Sequence, residues 1–143
     1  MAVRGIRGAT TVESDSAEEV IAATREMMIQ LIETNDIHPE DIAGAWFTTT
    51  RDVNSEFPAI AVRQLGWTEV PLLCGHEMEV DPDNPRSIAR CIRVLVMINT
   101  EKAASAMHFA YLRGAAAIKQ DLDELRRATD ELRRAGAGEG VPQ

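Results

Sequence analysis

Two arginines lie inside apolar segments of the sequence, where a charged side chain is unusual. Arg7 lies in RGIRG, and Arg93 lies in CIRVLV. A guanidinium among apolar neighbours needs an anionic partner or a hydrated cavity. Either arginine alone is compatible with a structural ion pair or with a side chain that reaches a sheet edge. Because a guanidinium stays charged and matches both oxygens of a carboxylate, the two together favour a site for a small polycarboxylate.

The segment CGHE places a thiol, an imidazole and a carboxylate within four positions, at Cys74, His76 and Glu77. A Cys–His nucleophilic pair at this spacing is a weak signal, because no third group is placed to orient it. The spacing of Cys74, His76 and His108 matches no metal-ligand pattern, so no metal site is expected. Cys74 is equally typical of a small buried hydrophobe, and we interpret it and Cys91 as thiols. Glu77 is either a solvated acid at a strand end or an acceptor for a substrate hydroxyl.

A third group of interest is Phe57 followed by Pro58, Ala59 and Arg63. The pattern places an aromatic ring at the start of a short helix and a cation within two turns of it. It is equally compatible with a hydrophobic contact at the helix start and a surface arginine. No phosphate-binding glycine loop, Ser-His-Asp order or pair of catalytic carboxylates is found.

Strands and helices must position these side chains. Apolar segments rich in β-branched residues predict strands at residues 3–12, 43–49, 70–75 and 91–99. Ser16 and Glu19 form a capping box that begins a long helix ending near Asn35, and a helical turn is expected at 39–41. A short helix begins at 57–59 and ends at Gly66. Residues 103–113 have helical composition, whereas 115–118 could be a strand or a helix extension.

The end of the chain differs from the rest in composition. Leu122, Leu125 and Leu132 lie among charged residues between 121 and 135, which predicts an amphipathic helix. The glycine-rich residues 136–143 predict a frayed end. We therefore expect one domain over residues 1–121 and a tail over 122–143.

Composition and charge exclude several classes of protein. The chain has 143 residues, and 15 Lys and Arg against 23 Asp and Glu give a net charge of −8. This balance argues against nucleic-acid binding and requires any basic site to be local. The sequence has neither an apolar segment long enough to span a bilayer nor an apolar signal core, so we expect a cytoplasmic location and no membrane partner.

The predicted fold class is α+β, with a mixed sheet, one long helix and one short helix. So few helices cannot cover both faces of a sheet with four or five strands. Another copy of the same chain would cover the open face, so we expect an obligate homo-oligomer.

The motifs together resemble the monofunctional bacterial chorismate mutases of the AroH class. The resemblance covers residues 3–122 and is carried, in order, by RGIRGATTV, Asp52, FPA with Arg63, VPLLC with Glu77 and Met78, and CIRV. It implies a homotrimeric pseudo-α/β barrel with active sites between subunits. It also implies the Claisen rearrangement of chorismate to prephenate on the route to phenylalanine and tyrosine, with no cofactor or metal.

The resemblance assigns roles to particular residues. Arg93, Arg7 and Glu77 are the catalytic set: Arg93 faces the ether oxygen of the breaking bond, Arg7 binds a carboxylate, and Glu77 accepts from the ring hydroxyl. Tyr111 contacts the side-chain carboxylate. The other implied substrate-binding positions are Phe57, Ala59, Arg63, Leu72, Leu73, Cys74, Ile118 and Lys119. Of these, Phe57 and Ala59 form an apolar wall from the neighbouring subunit, and Arg63 is a cation at the entrance.

Three positions depart from the family pattern. Ile60 stands where some relatives carry lysine, Leu73 replaces a hydroxyl-bearing residue, and Lys119 replaces an arginine. These differences bear on affinity more than on reaction type. Two other functions remain open at this point: an imine hydrolase of the trimeric Rid family, and a non-catalytic trimer that binds carboxylates of the aromatic pathway.

Overall fold

The chain forms one mixed sheet with two helices packed on one face of it. The computed structural model describes residues 1–138. The strands are β1 (Ala2–Thr11), β2 (Ile42–Thr49), β3 (Leu72–His76), β4 (Cys91–Thr100) and β5 (Ala110–Tyr111), and the helices are α1 (Ala17–Asn35), α2 (Ala59–Gln64) and α3 (Ala116–Gly138). The sheet order is β3-β2-β4-β1-β5, in which β4 is antiparallel to both β1 and β2, and the outer pairs are parallel. The predicted α+β class is confirmed.

Helix α1 begins where the sequence predicts. The Ser16 hydroxyl accepts a hydrogen bond from the Glu19 N–H at 3.2 Å, which satisfies one of the free donors of the first turn. The Glu19 carboxylate reaches back and accepts from the Ser14 N–H at 2.8 Å. The helix ends at Asn35, as predicted, and Asp36 follows in the left-handed region with φ 51°.

The hydrophobic core lies between α1 and one face of the sheet. It includes Met27 and Leu31 from α1 and Ile6 and Val96 from the sheet, all fully buried. A Cβ atom at Gly8 would lie 2.8 Å from the Leu31 Cδ1 atom. Glycine on β1 therefore allows the helix to approach the strand closely.

The opposite face of the sheet is open in the single chain. Leu73, Trp46 and Leu95 lie side by side across β3, β2 and β4, and they are 62%, 44% and 39% exposed. Val3 on β1 is also exposed. An apolar row across the middle of a sheet is typical of a surface that another chain covers.

Residues 103–113 do not form the predicted helix. They contain a 3₁₀ turn at Ala104–Ala106 and then strand β5, parallel to β1. The buried Asn35 side chain explains the difference, because it accepts from the His108 N–H at 2.7 Å and donates to the His108 carbonyl at 2.8 Å. These two bonds hold His108 at the end of α1, so the next residues run along the free edge of β1.

The C-terminal part of the chain is helical. A 3₁₀ turn at Arg113–Ala115 leads directly into α3, so residues 116–118 belong to a helix rather than a strand. The helix continues to Gly138, past the position where the sequence predicts fraying to begin. The rest of the predicted frayed end, residues 139–143, lies outside the described residues.

Candidate active site

Four residues form a row across the open face of the sheet, near one end of the strands. Thr48 on β2 is paired with Arg93 on β4, Arg93 with Ala9 on β1, and Ala9 with Tyr111 on β5. Because side chains alternate along each strand, Arg93 lies on the same face as exposed Leu95, opposite the helical core. The register therefore brings residues from four separate parts of the chain to one place.

Glu77 joins this row directly after β3. Its N–H donates to the Thr49 carbonyl at 2.8 Å, which continues the pairing with β2 by one residue. Its Oε2 atom accepts from the Thr48 hydroxyl at 3.0 Å and lies 3.4 Å from Arg93 Nη1. Its Oε1 atom accepts from the Met78 N–H at 3.1 Å. The carboxylate is thus fixed beside the guanidinium, and both side chains are about one-third exposed.

Two donors of this row are buried and have no hydrogen-bond partner among the described residues: Arg93 Nε and the Tyr111 hydroxyl. Buried polar groups are normally hydrogen-bonded, because a lost bond to water is otherwise not replaced. Two donors unpaired within residues 1–138 therefore lie at the same end of the sheet.

An open cavity of about 810 Å³ lies over this part of the sheet. Its walls include Arg7, Glu77, Arg93 and Ile118. Tyr111 and Ile118 pack together beside it against a small buried cluster of Ala9, Cys91 and Ala115. The cavity therefore brings the three predicted catalytic residues together on one chain.

The charge of the cavity is balanced rather than basic, in contrast to the predicted basic pocket. Four arginines and four carboxylates line it: Arg7, Arg51, Arg86, Arg93, Asp52, Glu77, Glu79 and Asp121. The reason is local pairing, since Arg51 forms an ion pair with Glu79 and Arg93 lies beside Glu77. The site is nevertheless far less acidic than the chain as a whole, whose net charge is −8.

Glu77 and Cys91 each keep one protonation state at neutral pH. Burial raises the pKa of Glu77, but the hydrogen bonds from Met78 and Thr48 and the charge of Arg93 outweigh it and leave the pKa below its ordinary value. Burial raises the pKa of the Cys91 thiol despite the nearby Arg93. Glu77 is therefore an anion at neutral pH, and Cys91 is a neutral thiol as expected.

The structure offers no support for a Cys–His nucleophile. Burial raises the pKa of the Cys74 thiol, which disfavours the thiolate. His76 is engaged elsewhere, with its Nδ1 atom 3.2 Å from the Thr49 hydroxyl. Within residues 1–138, no cluster of three or more His, Cys, Asp or Glu side chains could hold a metal ion.

The remaining predicted residues do not line the Arg93 cavity. Phe57 and Cys74 line a smaller cavity of about 350 Å³. Arg63 on α2 donates to the Trp67 carbonyl at 2.5 Å, so in the single chain it stabilises the end of its own helix. The others are Ala59 and Leu72, which pack on the core, Leu73, which is exposed on the open face, and Lys119, which is exposed on α3.

Sequence reasoning missed several residues of the cavity region, among them Thr48, Arg51 and Arg86. Thr48 hydrogen-bonds Glu77, and Arg51 and Arg86 line the cavity. The alternation of β2 was a usable signal for Thr48, because it puts Thr48 on the same face as Trp46. Arg51 and Arg86 lie in loops, where no periodicity indicates a direction.

The fold and the cavity together define a class of protein: an α+β protein with an open cavity on its sheet and guanidinium groups in the cavity wall. Residues 3–122 match the family model of chorismate mutase type I. The chain is 44% identical to chorismate mutase AroH of Thermus thermophilus, over 85% of this chain and 97% of that protein. It is 38% identical to chorismate mutase AroH of Bacillus subtilis, over 85% and 94% of the two chains.

The solved structures agree with the sequence relatives. A chorismate mutase from Clostridium thermocellum superposes with a TM-score of 0.74 at 40% identity, and the match covers 79% of this chain and 97% of that one. The chain belongs to the chorismate mutase type I family and is a chorismate mutase. These relatives do not favour the imine hydrolase or the non-catalytic binder. None of the helices in residues 1–138 has the length and apolar character needed to cross a membrane.

Proposed function

We propose that the cavity on the open sheet face is where this chorismate mutase converts chorismate to prephenate, with Arg93 as its principal catalytic cation. One observation carries the assignment. The buried Arg93 Nε has no hydrogen-bond partner in the described residues, although Nη1 of the same guanidinium lies 3.4 Å from Glu77 Oε2. Keeping a guanidinium N–H buried and unpaired is costly for a protein without its ligand. An acceptor oxygen of a bound substrate would supply the missing bond.

The reaction needs little from the protein beyond shape and charge. In the Claisen rearrangement a carbon–oxygen bond breaks while a carbon–carbon bond forms in the same molecule, so no group is transferred to the enzyme. Negative charge builds on the ether oxygen as its bond breaks. A guanidinium fixed beside that oxygen binds the transition state more tightly than the substrate, which lowers the barrier.

The other residues of the cavity bind the parts of the substrate that do not change. Arg7, which lines the cavity, and the Tyr111 hydroxyl, which has no partner in the described residues, would donate to carboxylate oxygens of the substrate. Glu77 would accept from the ring hydroxyl, and this role is supported by its Oε1 atom, which carries one described hydrogen bond, from the Met78 N–H. A carboxylate oxygen has two lone pairs, so one remains for the substrate.

We also propose that a neighbouring copy completes the site in a homotrimer. Phe57 and Leu73 are 66% and 62% exposed in the single chain, and neither lines the Arg93 cavity. A second chain that covered the apolar row of Leu73, Trp46 and Leu95 would bring such side chains to the mouth of the cavity. The substrate-binding roles of Ala59, Arg63, Leu72, Cys74 and Lys119 depend on this assembly and stay predictions, as does the cytoplasmic location.

The assembly is tested by its mass in solution. Sedimentation equilibrium of the full chain should give three times the monomer mass of 15.7 kDa. Leu73→Glu, which puts a charge in the apolar row, should lower both the mass and the activity. A stable monomer with full activity would contradict the proposal that copies share the site.

The catalytic role is tested with chorismate as substrate. Arg93→Ala should lower kcat by a factor on the order of 10² to 10³ or more, as the loss of a preorganised donor does in other enzymes. Arg25→Ala is the matched control, because Arg25 is exposed on α1, which lies on the opposite side of the sheet. If the Arg93 variant remained assembled and converted chorismate at a near-normal rate, Arg93 would not have this role.

A further inference from the structure

We propose that Thr48 is a positioning residue for the reaction: its hydroxyl holds the Glu77 carboxylate in place, so that both Glu77 and Arg93 keep free hydrogen-bonding positions for substrate. The proposal rests on the proposed function of the cavity. It adds to that function a residue from the middle of the sheet.

The position of Thr48 is set by the sheet. Thr48 is directly opposite Arg93 in the antiparallel pairing of β2 and β4. Its parallel partner on β3 is Gly75, which has no side chain, and Glu77 follows two residues later. Thr48 is therefore the β2 side chain between the anion and the cation.

The contacts of Glu77 show what the Thr48 hydroxyl does. Glu77 Oε2 accepts from Thr48 at 3.0 Å, while the Arg93 Nη1 atom is slightly farther away, at 3.4 Å. The ion pair is thus loose, and the shorter contact of Oε2 is with the neutral hydroxyl. Without that hydroxyl, the strongest remaining attraction on Oε2 is the Arg93 charge. A closer Glu77–Arg93 pair would occupy donors and acceptors that the substrate needs.

The chemistry of threonine makes this role separable from packing. Valine has nearly the same shape and the same preference for strands, but it cannot donate to a carboxylate. Serine keeps the donor and loses only a methyl group. Thr48→Val and Thr48→Ser therefore distinguish a hydroxyl effect from a shape effect at one half-buried position.

The experiment measures chorismate turnover by both variants across pH. Thr48→Val should lower kcat/KM on the order of tenfold, because one hydrogen bond to a charged group is lost. The acid limb of its pH profile should move to higher pH, since that hydrogen bond is one of the contacts that hold the pKa of Glu77 low. Thr48→Ser should keep the wild-type profile. Besides Arg93, the charged groups that line the cavity with Glu77 are Arg7, Arg51, Asp52, Glu79, Arg86 and Asp121.

Thr68→Val is the matched control, because it makes the same chemical change at an exposed residue outside the cavity and should leave turnover unchanged. Full activity and an unmoved acid limb in Thr48→Val would overturn the proposal. An equal loss in Thr48→Val and Thr48→Ser would also overturn it, because shape would then be the cause. If Glu77→Gln were fully active as well, the failure would lie in the proposed role of Glu77 itself.

Discussion

We predict that Arg93 lowers the free energy of unfolding of the protein while it raises the rate of chorismate turnover. Replacing Arg93 separates the two effects. The substitution Arg93→Met keeps most of the volume and removes the guanidinium. We expect turnover to fall by at least about 10²-fold, as for alanine. We also expect the free energy of unfolding to stay the same or increase.

The contacts of Arg93 give the size of the change in stability. Its buried Nε has no partner in the described residues, and an unsatisfied buried donor costs about 1–3 kcal/mol. Its ion pair with Glu77 has an N–O distance of 3.4 Å, and the two side chains are 29% and 32% exposed. A pair so accessible to water is worth about 0.2–1 kcal/mol. Glu77 keeps its bonds from Thr48 and Met78, so the net expected change is a gain of about 1 kcal/mol.

Urea unfolding measures this difference. With a denaturant slope of about 2 kcal/mol per molar, the midpoint for Arg93→Met should rise by roughly 0.5 M at an unchanged slope. Wild type, Arg93→Met and the control Arg25→Met must be compared at one protein concentration, because the stability of an oligomer depends on concentration. A midpoint that fell by a similar amount would refute the reasoning. Arg93 would then be a structural ion pair, which is the alternative that its sequence context also allows.

Three further results are expected. Turnover should be nearly flat from mildly acidic to mildly alkaline pH, because the arginines stay charged and the pKa of Glu77 lies below its ordinary value. The stability that Glu77 contributes should likewise be present above its unfolded-state pKa and be lost only as pH falls through the lowered folded value. A bell-shaped rate profile centred near neutrality in the assembled enzyme would contradict the expected flat turnover. Truncation after Leu122 removes Leu125 from the cavity wall. In steady-state kinetics this truncation should raise KM several-fold more than it lowers kcat. An unchanged KM would show that the part of α3 after Leu122 is dispensable for substrate binding.

Much of the local structure could be predicted because it depends on residues that are close in sequence. The Ser16–Glu19 contact at the start of α1 spans three positions, and the stripe of Ala23, Met27 and Leu31 follows from helical spacing. The error over residues 103–113 has the opposite origin. Asn35 and His108 are 73 positions apart, and their two hydrogen bonds override a helical composition that is only a weak preference.

The candidate site was likewise predictable only where the signal lies in a short segment of the sequence. Unusual residue types identified Arg7 and Arg93, because a charge in an apolar segment is visible without coordinates, and the segment CGHE identified Glu77. Their convergence was visible only through the family resemblance. Thr48 was missed, since its contact with Glu77 spans 29 positions and depends on the pairing of β2 with β3.

By itself, the sequence determined the order of the main strands and helices, the family and the residues able to carry charge in the site. Hydrophobic periodicity, capping and unusual charges are properties of short segments, so they can be read along the chain. Only the tertiary structure decided that Thr48, Arg93 and Tyr111 form one row and that two of its buried donors have no partner in the described residues. The physical reason is strand register: it is fixed by pairing between distant segments, and a shift of one residue would turn every side chain of a strand to the other face.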